Sequence, residues 1–326
     1  MNNNYFKIGE IEIKNRVILA PMAGITSFSY RKFISHYFNG LKYTEMVSDS
    51  GLYYNSEETK RIIYSDGSEY PLALQLFGSD KNKMLEAIDR LEQLNAQYDI
   101  LDINLACPVT KVVKTGAGSA LLNDQEYLFD LMSAIVQKSK KPVTAKVRLG
   151  YKSINIFETL KTLEKAGVKF VAIHARTKEQ LYSGVPQFDV LKDVKKIINI
   201  PFGISGNIFT VQDALRALEI TKADAVLVAR GAIGNPKLIM NIEKALNNEP
   251  YDESVNISQQ IEHLNEFANL LIEEKGEKSA ISILRGIAPK FFFSLPNSRE
   301  IRNKLAQNMK SYKDLIDILS TIQIDQ

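Results

Sequence analysis

The stretch ILDINLACPVTKVVKTGAGSALL, residues 100–122, holds the only cysteine of a 326-residue chain. Its first six residues are a mostly apolar, β-prone run. The run halts at Cys107 and Pro108, and glycines follow at 116 and 118. Such runs suit strands buried on both faces, which is the habit of parallel sheets. Seven comparable runs flank it: VILAPM (17–22), KYTEMV (42–47), LALQLF (72–77), VTAKVRL (143–149), FVAIHAR (170–176), PFGIS (201–205) and AVLVAR (225–230). Helix-length amphipathic segments at 80–97, 124–140, 155–166 and 210–220 supply crossovers. Eight strands with crossovers over about 240 residues predict an α/β fold of the TIM (β/α)8 type, with an open doubly wound sheet as the alternative.

Asn235 and Pro236 open the last barrel helix, and NNEPYDESVN (247–256) then breaks the pattern. Beyond it the chain reads as helical: ISQQIEHLNEFANLLIEEKG, a helix from Lys278, and a stretch over 302–322. The predicted division is a barrel over 1–246 and a smaller all-helical domain over 247–326.

Composition narrows the function classes. A hydrophobic content of 45% supports a large core, and one cysteine cannot form an internal disulfide. Apolar runs such as VLVA (226–229) fall far short of the roughly 18 residues that span a membrane. The start, MNNNYFKIGE, lacks the basic and apolar regions of a signal peptide, so a cytoplasmic setting without membrane contact is expected. A net charge of +3 does not announce nucleic acid, but its distribution is uneven. Over 285–313, Arg285, Lys290, Arg299, Arg302, Lys304, Lys310 and Lys313 face only Glu300, a local +6. That segment is either a solvated helix face or a basic stripe.

In a TIM barrel the chemistry sits at the C-terminal strand ends. Those positions hold Pro21, Met22 and Ala23; Glu45; Gln75; Asn104 and Cys107; Lys146 and Arg148; His174 and Arg176; Ser205, Gly206 and Asn207; Arg230 and Gly231. GISGNI and ARGAIGNP are glycine-rich turns whose N–H groups suit a phosphate, or ordinary βα turns. The Lys146 ammonium in the barrel mouth calls for an anionic partner: Glu45 or another barrel carboxylate, or the N1–O2 edge of a reduced flavin. A Schiff-base role is the further option. With three histidines in the chain, a multi-histidine metal site is not expected, and His174 reads as a neutral hydrogen-bonding group or a core histidine. No G-x-G-x-x-G follows a strand.

These motifs resemble the tRNA-dihydrouridine synthase family. The agreement runs from APMAGIT (20–26) through EMV, QLFGS, DINLACPVTKVVKTGAGSALL, VTAKVRLG, HARTKEQLYSG and GISGNIF to ARGAIGNP, and into LPNSREIR (295–302). The most specific elements are N-x-x-C-P with K-x-G-A-G-S-A-L-L, and H-x-R-T-x-x-Q-x-Y-S-G. Within the family the chain looks most like the B-type bacterial branch. It departs from the usual pattern at Ser205-Gly206-Asn207, where N-G-D is more frequent, and at Ala106 and Ala229, where glycine is frequent.

The resemblance implies an FMN enzyme with a TIM barrel and a helical domain that helps hold tRNA. Pro21, Met22, Ala23, Gln75, Lys146 and His174 are implied to contact the FMN ring and ribityl chain. Ser205, Gly206, Asn207, Ala229 and Arg230 are implied to hold its phosphate end. The implied activity is reduction of tRNA uridine to 5,6-dihydrouridine, with NADPH as electron donor, hydride arriving at C6 and a proton from Cys107 at C5; a monomer is expected. An ordinary thiol is protonated at neutral pH and can serve as a general acid. Pro108 stiffens the turn after Cys107, and Gly116 and Gly118 let the next loop close. Asn104, Arg148 and Arg176 are candidates for uracil carbonyls or RNA phosphates, and Arg299 and Arg302 for the tRNA backbone. Two other readings are an FMN enzyme acting on a free pyrimidine, like dihydroorotate dehydrogenases, and a tRNA-binding protein without chemistry.

Overall fold

The computed structural model describes residues 5–293, 295 and 298–322. Residues 1–4 of the leader reading, and Pro296 and Asn297 of the LPNSREIR motif, lie outside the described residues.

A short antiparallel hairpin, β1 (Phe6–Ile8) and β2 (Ile11–Ile13), precedes the barrel. The eight expected strands then form: β3 (Val17–Leu19), β4 (Lys42–Ser48), β5 (Leu72–Phe77), β6 (Ile100–Leu105), β7 (Val143–Arg148), β8 (Val171–His174), β9 (Phe202–Ser205) and β10 (Ala225–Val228). They run in sequence order, and β10 closes onto β3 in parallel register. The open-sheet alternative is thereby excluded.

The wall of strands divides the apolar core in two, because successive side chains face opposite sides. Along β6, Leu101, Ile103 and Leu105 join the large cluster under the helices, whereas Ile100 joins the cluster on the barrel axis. That inner cluster is capped by the hairpin, whose Ile8 and Ile13 are buried in it and whose Phe6 stacks on Phe170 at 5.6 Å. The hairpin thus plugs the N-terminal end. At Gly203 a Cβ would lie 2.5 Å from Leu227 Cδ1 and 2.8 Å from Phe170 Cζ, so any side chain there would have to displace both from the filled interior.

The barrel helices are α1 (Phe28–Ser35), α2 (Asp49–Tyr53), α3 (Glu57–Ile62), α4 (Lys81–Gln93), α5 (Thr110–Val113), α6 (Gln125–Lys138), α7 (Ile156–Lys165), α8 (Val211–Thr221) and α9 (Lys237–Leu246). Caps fix several starts. Asp80 accepts from Lys83 N–H, Asp124 accepts from Tyr127 N–H, and Thr210 with Asp213 forms a capping box. The β8–β9 crossover has no α-helix and consists of two 3-10 turns, Phe188–Leu191 and Val194–Lys196.

The C-terminal region comprises α10 (Ile257–Lys275), α11 (Glu277–Ile287), α12 (Arg299–Gln307) and α13 (Tyr312–Ser320). Phe267 of α10 packs against Tyr30 at 5.5 Å and Phe33 at 5.7 Å, both on α1, so its core is continuous with the barrel's outer core. The helical stretch expected over 302–322 is two helices. Ser311 Oγ accepts from Asp314 N–H at 3.1 Å while Asp314 Oδ2 accepts from Ser311 N–H at 2.9 Å, a capping box that starts a new helix. No helix among the described residues is long and apolar enough to cross a membrane.

Candidate active site

Parallel register aligns the polar residues in rows across the strands. Gln75, Asp102 and Thr144 are successive partners on β5, β6 and β7. One step higher, Asn104 pairs with Lys146, and above it Arg148, His174 and Ser205 form a row across β7, β8 and β9. At this end lies a cavity of about 330 Å³. Its wall contains Pro21, Met22 and Ala23 after β3, Gln75, Asn104, Cys107, Lys146, Arg148 and His174, then Ser205, Gly206 and Asn207, and finally Ala229 and Arg230. Residues far apart in the chain converge on one space because all follow strand ends.

Three expected residues lie elsewhere. Arg176 sits behind the wall, fully buried, and Arg299 and Arg302 are on α12. Glu45 also leaves the mouth. A bulge between Tyr43 and Met46 shifts the β4 register, Met46 lines the cavity instead, and the Glu45 carboxylate accepts from Gly24 N–H. The structural pairing of Lys146 with Glu45 therefore does not form.

Hydrogen bonds fix which polar atoms face inward. Thr144 Oγ1 donates to Asp102 Oδ1 at 2.6 Å, Gln75 Nε2 donates to Asp102 Oδ2 at 2.8 Å, and Asn104 Nδ2 donates to Gln75 Oε1 at 2.8 Å. Asn104 Oδ1 accepts from the N–H groups of Ala106 at 3.0 Å and Cys107 at 2.8 Å. Asn207 Oδ1 accepts from Arg176 at 3.1 Å and Arg230 at 3.4 Å. The amide oxygens of Gln75, Asn104 and Asn207 are thus all engaged inside the protein, leaving N–H groups for the cavity.

Burial decides the charges. His174 is 9% exposed, and its pKa lies well below the ordinary value because of burial, with Lys146, Arg148, Arg176 and Arg230 adding to the effect. It is neutral at pH 7. Arg176 Nη1 can only donate to His174 Nε2 (3.5 Å), which leaves the ring proton on Nδ1, facing Ser205 Oγ at 3.3 Å. Burial, with Arg148 nearby, lowers Lys146 to about 8, against the opposing pull of Asp102 and Cys107. No described residue accepts a hydrogen bond from its ammonium. Burial raises Asp102 to about 6, against hydrogen bonds from Thr144 and Gln75 and the charge of Lys146.

The two mouth arginines are committed to backbone carbonyls. Arg148 donates to Ala106, Thr177 and Leu181 at 2.8 to 3.0 Å, joining the Cys107 loop to the loop after β8. Arg176 donates to the carbonyls of Ser183 at 2.9 Å and Gly184 at 2.6 Å. Both act as clamps. The exposed Arg230 guanidinium lies over Tyr182 at 4.7 Å and Phe209 at 5.5 Å.

Cys107 is half-buried at the cavity edge. Its carbonyl accepts from Ser119 N–H at 3.1 Å and Ser119 Oγ at 2.9 Å. Gly118 makes that approach possible: its φ is +62°, and a Cβ there would lie 2.8 Å from the Cys107 carbonyl oxygen.

Sequence reasoning missed Asp102, Met46, Tyr182 and Phe209. Asp102 carried a signal, being an ionisable residue on the same strand face as Asn104. Among the described residues no cluster of three or more His, Cys, Asp or Glu side chains is suited to a metal.

The dihydrouridine synthase (Dus) family profile matches residues 18–324. A probable tRNA-dihydrouridine synthase of Rickettsia bellii is 33% identical over 301 residues, covering 91% of each chain. The tRNA-dihydrouridine synthase B of Pasteurella multocida is 33% identical over 302 residues, covering 88% of this chain and 89% of the relative. Among solved structures, the old yellow enzyme homologue of Zymomonas mobilis superposes with a TM-score of 0.51 at 13% identity, over 79% of this chain and 95% of that one, a likeness of fold. With the N-x-x-C-P loop at the cavity edge and the match extending through barrel and helical region alike, the chain belongs to the dihydrouridine synthase family.

Proposed function

We propose that the cavity binds FMN and that the protein reduces uridines in tRNA to 5,6-dihydrouridine with electrons from NADPH, acting as a cytoplasmic monomer. The observation that carries this reading is the donor set. Three amides with engaged oxygens and an ammonium without a hydrogen-bond acceptor among the described residues line the cavity, no Asp or Glu among those residues does, and the sole thiol stands at its edge. Such a wall fits an acceptor-rich, anionic group with a phosphate tail.

Gln75, Lys146 and His174, with Pro21, Met22 and Ala23, would hold the ring and ribityl chain. Ser205, Gly206, Asn207, Ala229 and Arg230 would hold the phosphate end. When bound and reduced, FMN supplies a hydride for C6 of the pyrimidine.

The chain's own residues do the rest. Cys107 keeps a proton for C5, on a loop pinned by Asn104 and Ser119. Lys146 offers a fixed positive charge to a ring that gains electrons. The second Nδ2–H of Asn104 meets only the weak acceptor Met46 Sδ, at 3.8 Å, and would exchange it for a uracil carbonyl. Arg148 and Arg176 contribute by holding the loops rather than by touching RNA. A uridine inside folded tRNA reaches the cavity only by extrusion. On this reading residues 1–246 are the catalytic unit, and 247–326, with Arg299 and Arg302, contact the tRNA backbone.

The test is mass-spectrometric mapping of dihydrouridine in tRNA from cells lacking this protein. Loss at one or more positions, restored by the wild-type gene, is expected. An unchanged dihydrouridine map would sink the proposal.

A further inference from the structure

Asp102 lies beneath the cavity and has no part in the reaction outlined above, yet it heads a chain of hydrogen bonds that ends at Cys107. We propose that Asp102 is a positioning residue: by dictating the amide orientation of Gln75, and through it that of Asn104, it fixes the Cys107 loop and makes the cavity floor a donor surface. The inference rests on Cys107 and Gln75 serving the proposed reaction.

Donor and acceptor parity sets each amide's orientation. An ionised carboxylate can only accept. With Oδ1 taken by Thr144 at 2.6 Å, Oδ2 obliges Gln75 to turn its Nε2 toward it, at 2.8 Å. Gln75 Oε1 then faces Asn104, which must answer with Nδ2, again at 2.8 Å. Asn104 Oδ1 is left toward the chain, where the N–H groups of Ala106 and Cys107 reach it. Turning either amide over would set donor against donor and acceptor against acceptor.

Asp102 is 0% exposed, Gln75 1% and Asn104 6%, so water does not repair a mismatch. Leaving a buried polar group unpaired incurs that group's full desolvation penalty, enough to hold each amide in one orientation. The remaining N–H groups, that of Gln75 and that of Asn104, which has only the weak acceptor Met46 Sδ at 3.8 Å, lie in the cavity wall and are then offered to a ligand. One carboxylate thereby sets the polarity of two side chains and the seat of the thiol.

The test uses a property of the sequence. Cys107 is the only cysteine, so iodoacetamide labelling reports on this loop alone. Asp102→Ala removes both acceptors, whereas Asp102→Asn keeps the shape and one acceptor oxygen and is the variant expected to fold. Hydrogen-exchange protection over residues 104–108 should fall about fivefold in Asp102→Asn and about tenfold or more in Asp102→Ala. Cys107 alkylation should quicken in the same order, while peptides from β9 and β10 exchange as in wild type. In tRNA reduction kcat should drop about tenfold or more with KM for tRNA unchanged.

Wild-type exchange and alkylation in the folded Asn variant would overturn the proposal. So would a loss of protection spread evenly over the barrel, which would make Asp102 a general stability residue. The proposed reaction can fail separately: full tRNA reduction by Cys107→Ala would remove the thiol's chemical role and leave the exchange result standing.

Discussion

The barrel mouth and helix α12 are both basic, and they hold their charges in opposite ways. At the mouth, Arg148 is 3% exposed and Arg176 fully buried, and their guanidinium groups are spent on five backbone carbonyls and the Asn207 side chain. On α12, Arg299 is exposed and Lys304 pairs with Glu300 at 2.8 Å in water, whereas Arg302 is half-buried over Phe293 at 4.6 Å, its Nε out of solvent and without a hydrogen-bond partner among the described residues, so that Arg299 and Lys304 are the solvated cations here. Dehydrated, fixed cations define a cavity and the orientation of what enters it. Solvated cations are screened, contribute little singly, and matter when many meet a polyanion. Local positive charge in the sequence therefore does not reveal which of these tasks it serves.

The largest expected effect separates the two regions by stability. Arg176→Ala strips several charge-assisted hydrogen bonds from a buried site and should cost about 3 kcal/mol or more in denaturant unfolding. Arg299→Ala, at an exposed position, should stay within about 0.5 kcal/mol. Similar losses at both sites would erase the distinction.

The next effect is on ligand binding. Lys146→Ala should weaken FMN binding about tenfold or more, the worth of one charge-assisted hydrogen bond. The pH dependence sharpens this. In the free protein Lys146 is protonated below about 8, and an anionic ligand favours that form. Affinity should therefore be level below pH 8 and fall as pH rises above it, and Lys146→Ala should lose the dependence. In the ligand-free protein the sign reverses. Between about 8 and the ordinary lysine value the unfolded chain binds more protons than the native state, so this group makes stability rise with pH. Fluorescence titration of FMN from pH 7 to 9.5 checks the first; an affinity independent of pH in the wild type would remove Lys146 from the anion site.

The smallest effect belongs to α12. Arg299→Gln with Arg302→Gln should lower the salt slope of tRNA binding by roughly 0.7 to 0.9 per lost phosphate contact, with flavin reduction by NADPH unaltered. An unchanged slope would take both arginines off the RNA surface.

How much of this was legible in the sequence depended on element length and on partners. The eight barrel strands announced themselves because each is apolar and all but the first are followed by a polar end, and β5 and β6 coincide with LALQLF and ILDINL. The β1–β2 hairpin did not, since three-residue strands show no period. The Ser311–Asp314 capping box was readable as S-x-x-D and marks where the 302–322 stretch breaks. At the site, strand ends gave the lining residues, but their tasks were set by atoms from elsewhere. Arg148 and Arg176 looked available until the carbonyls of 177–184 folded back onto them. Glu45 was removed by a bulge that no residue pattern advertises. Asp102 gained its meaning only from the register that sets Gln75 and Thr144 beside it.

The most direct test of the central claim, that this mouth reduces a pyrimidine with Cys107 as proton donor, follows the two half-reactions of Cys107→Ala separately. Stopped-flow bleaching of FMN by NADPH should match the wild type, because the thiol lies outside the anion-holding groups. Dihydrouridine formation in tRNA should then slow about a hundredfold or more, the contribution of a positioned acid. Dihydrouridine formed at the wild-type rate would contradict the account.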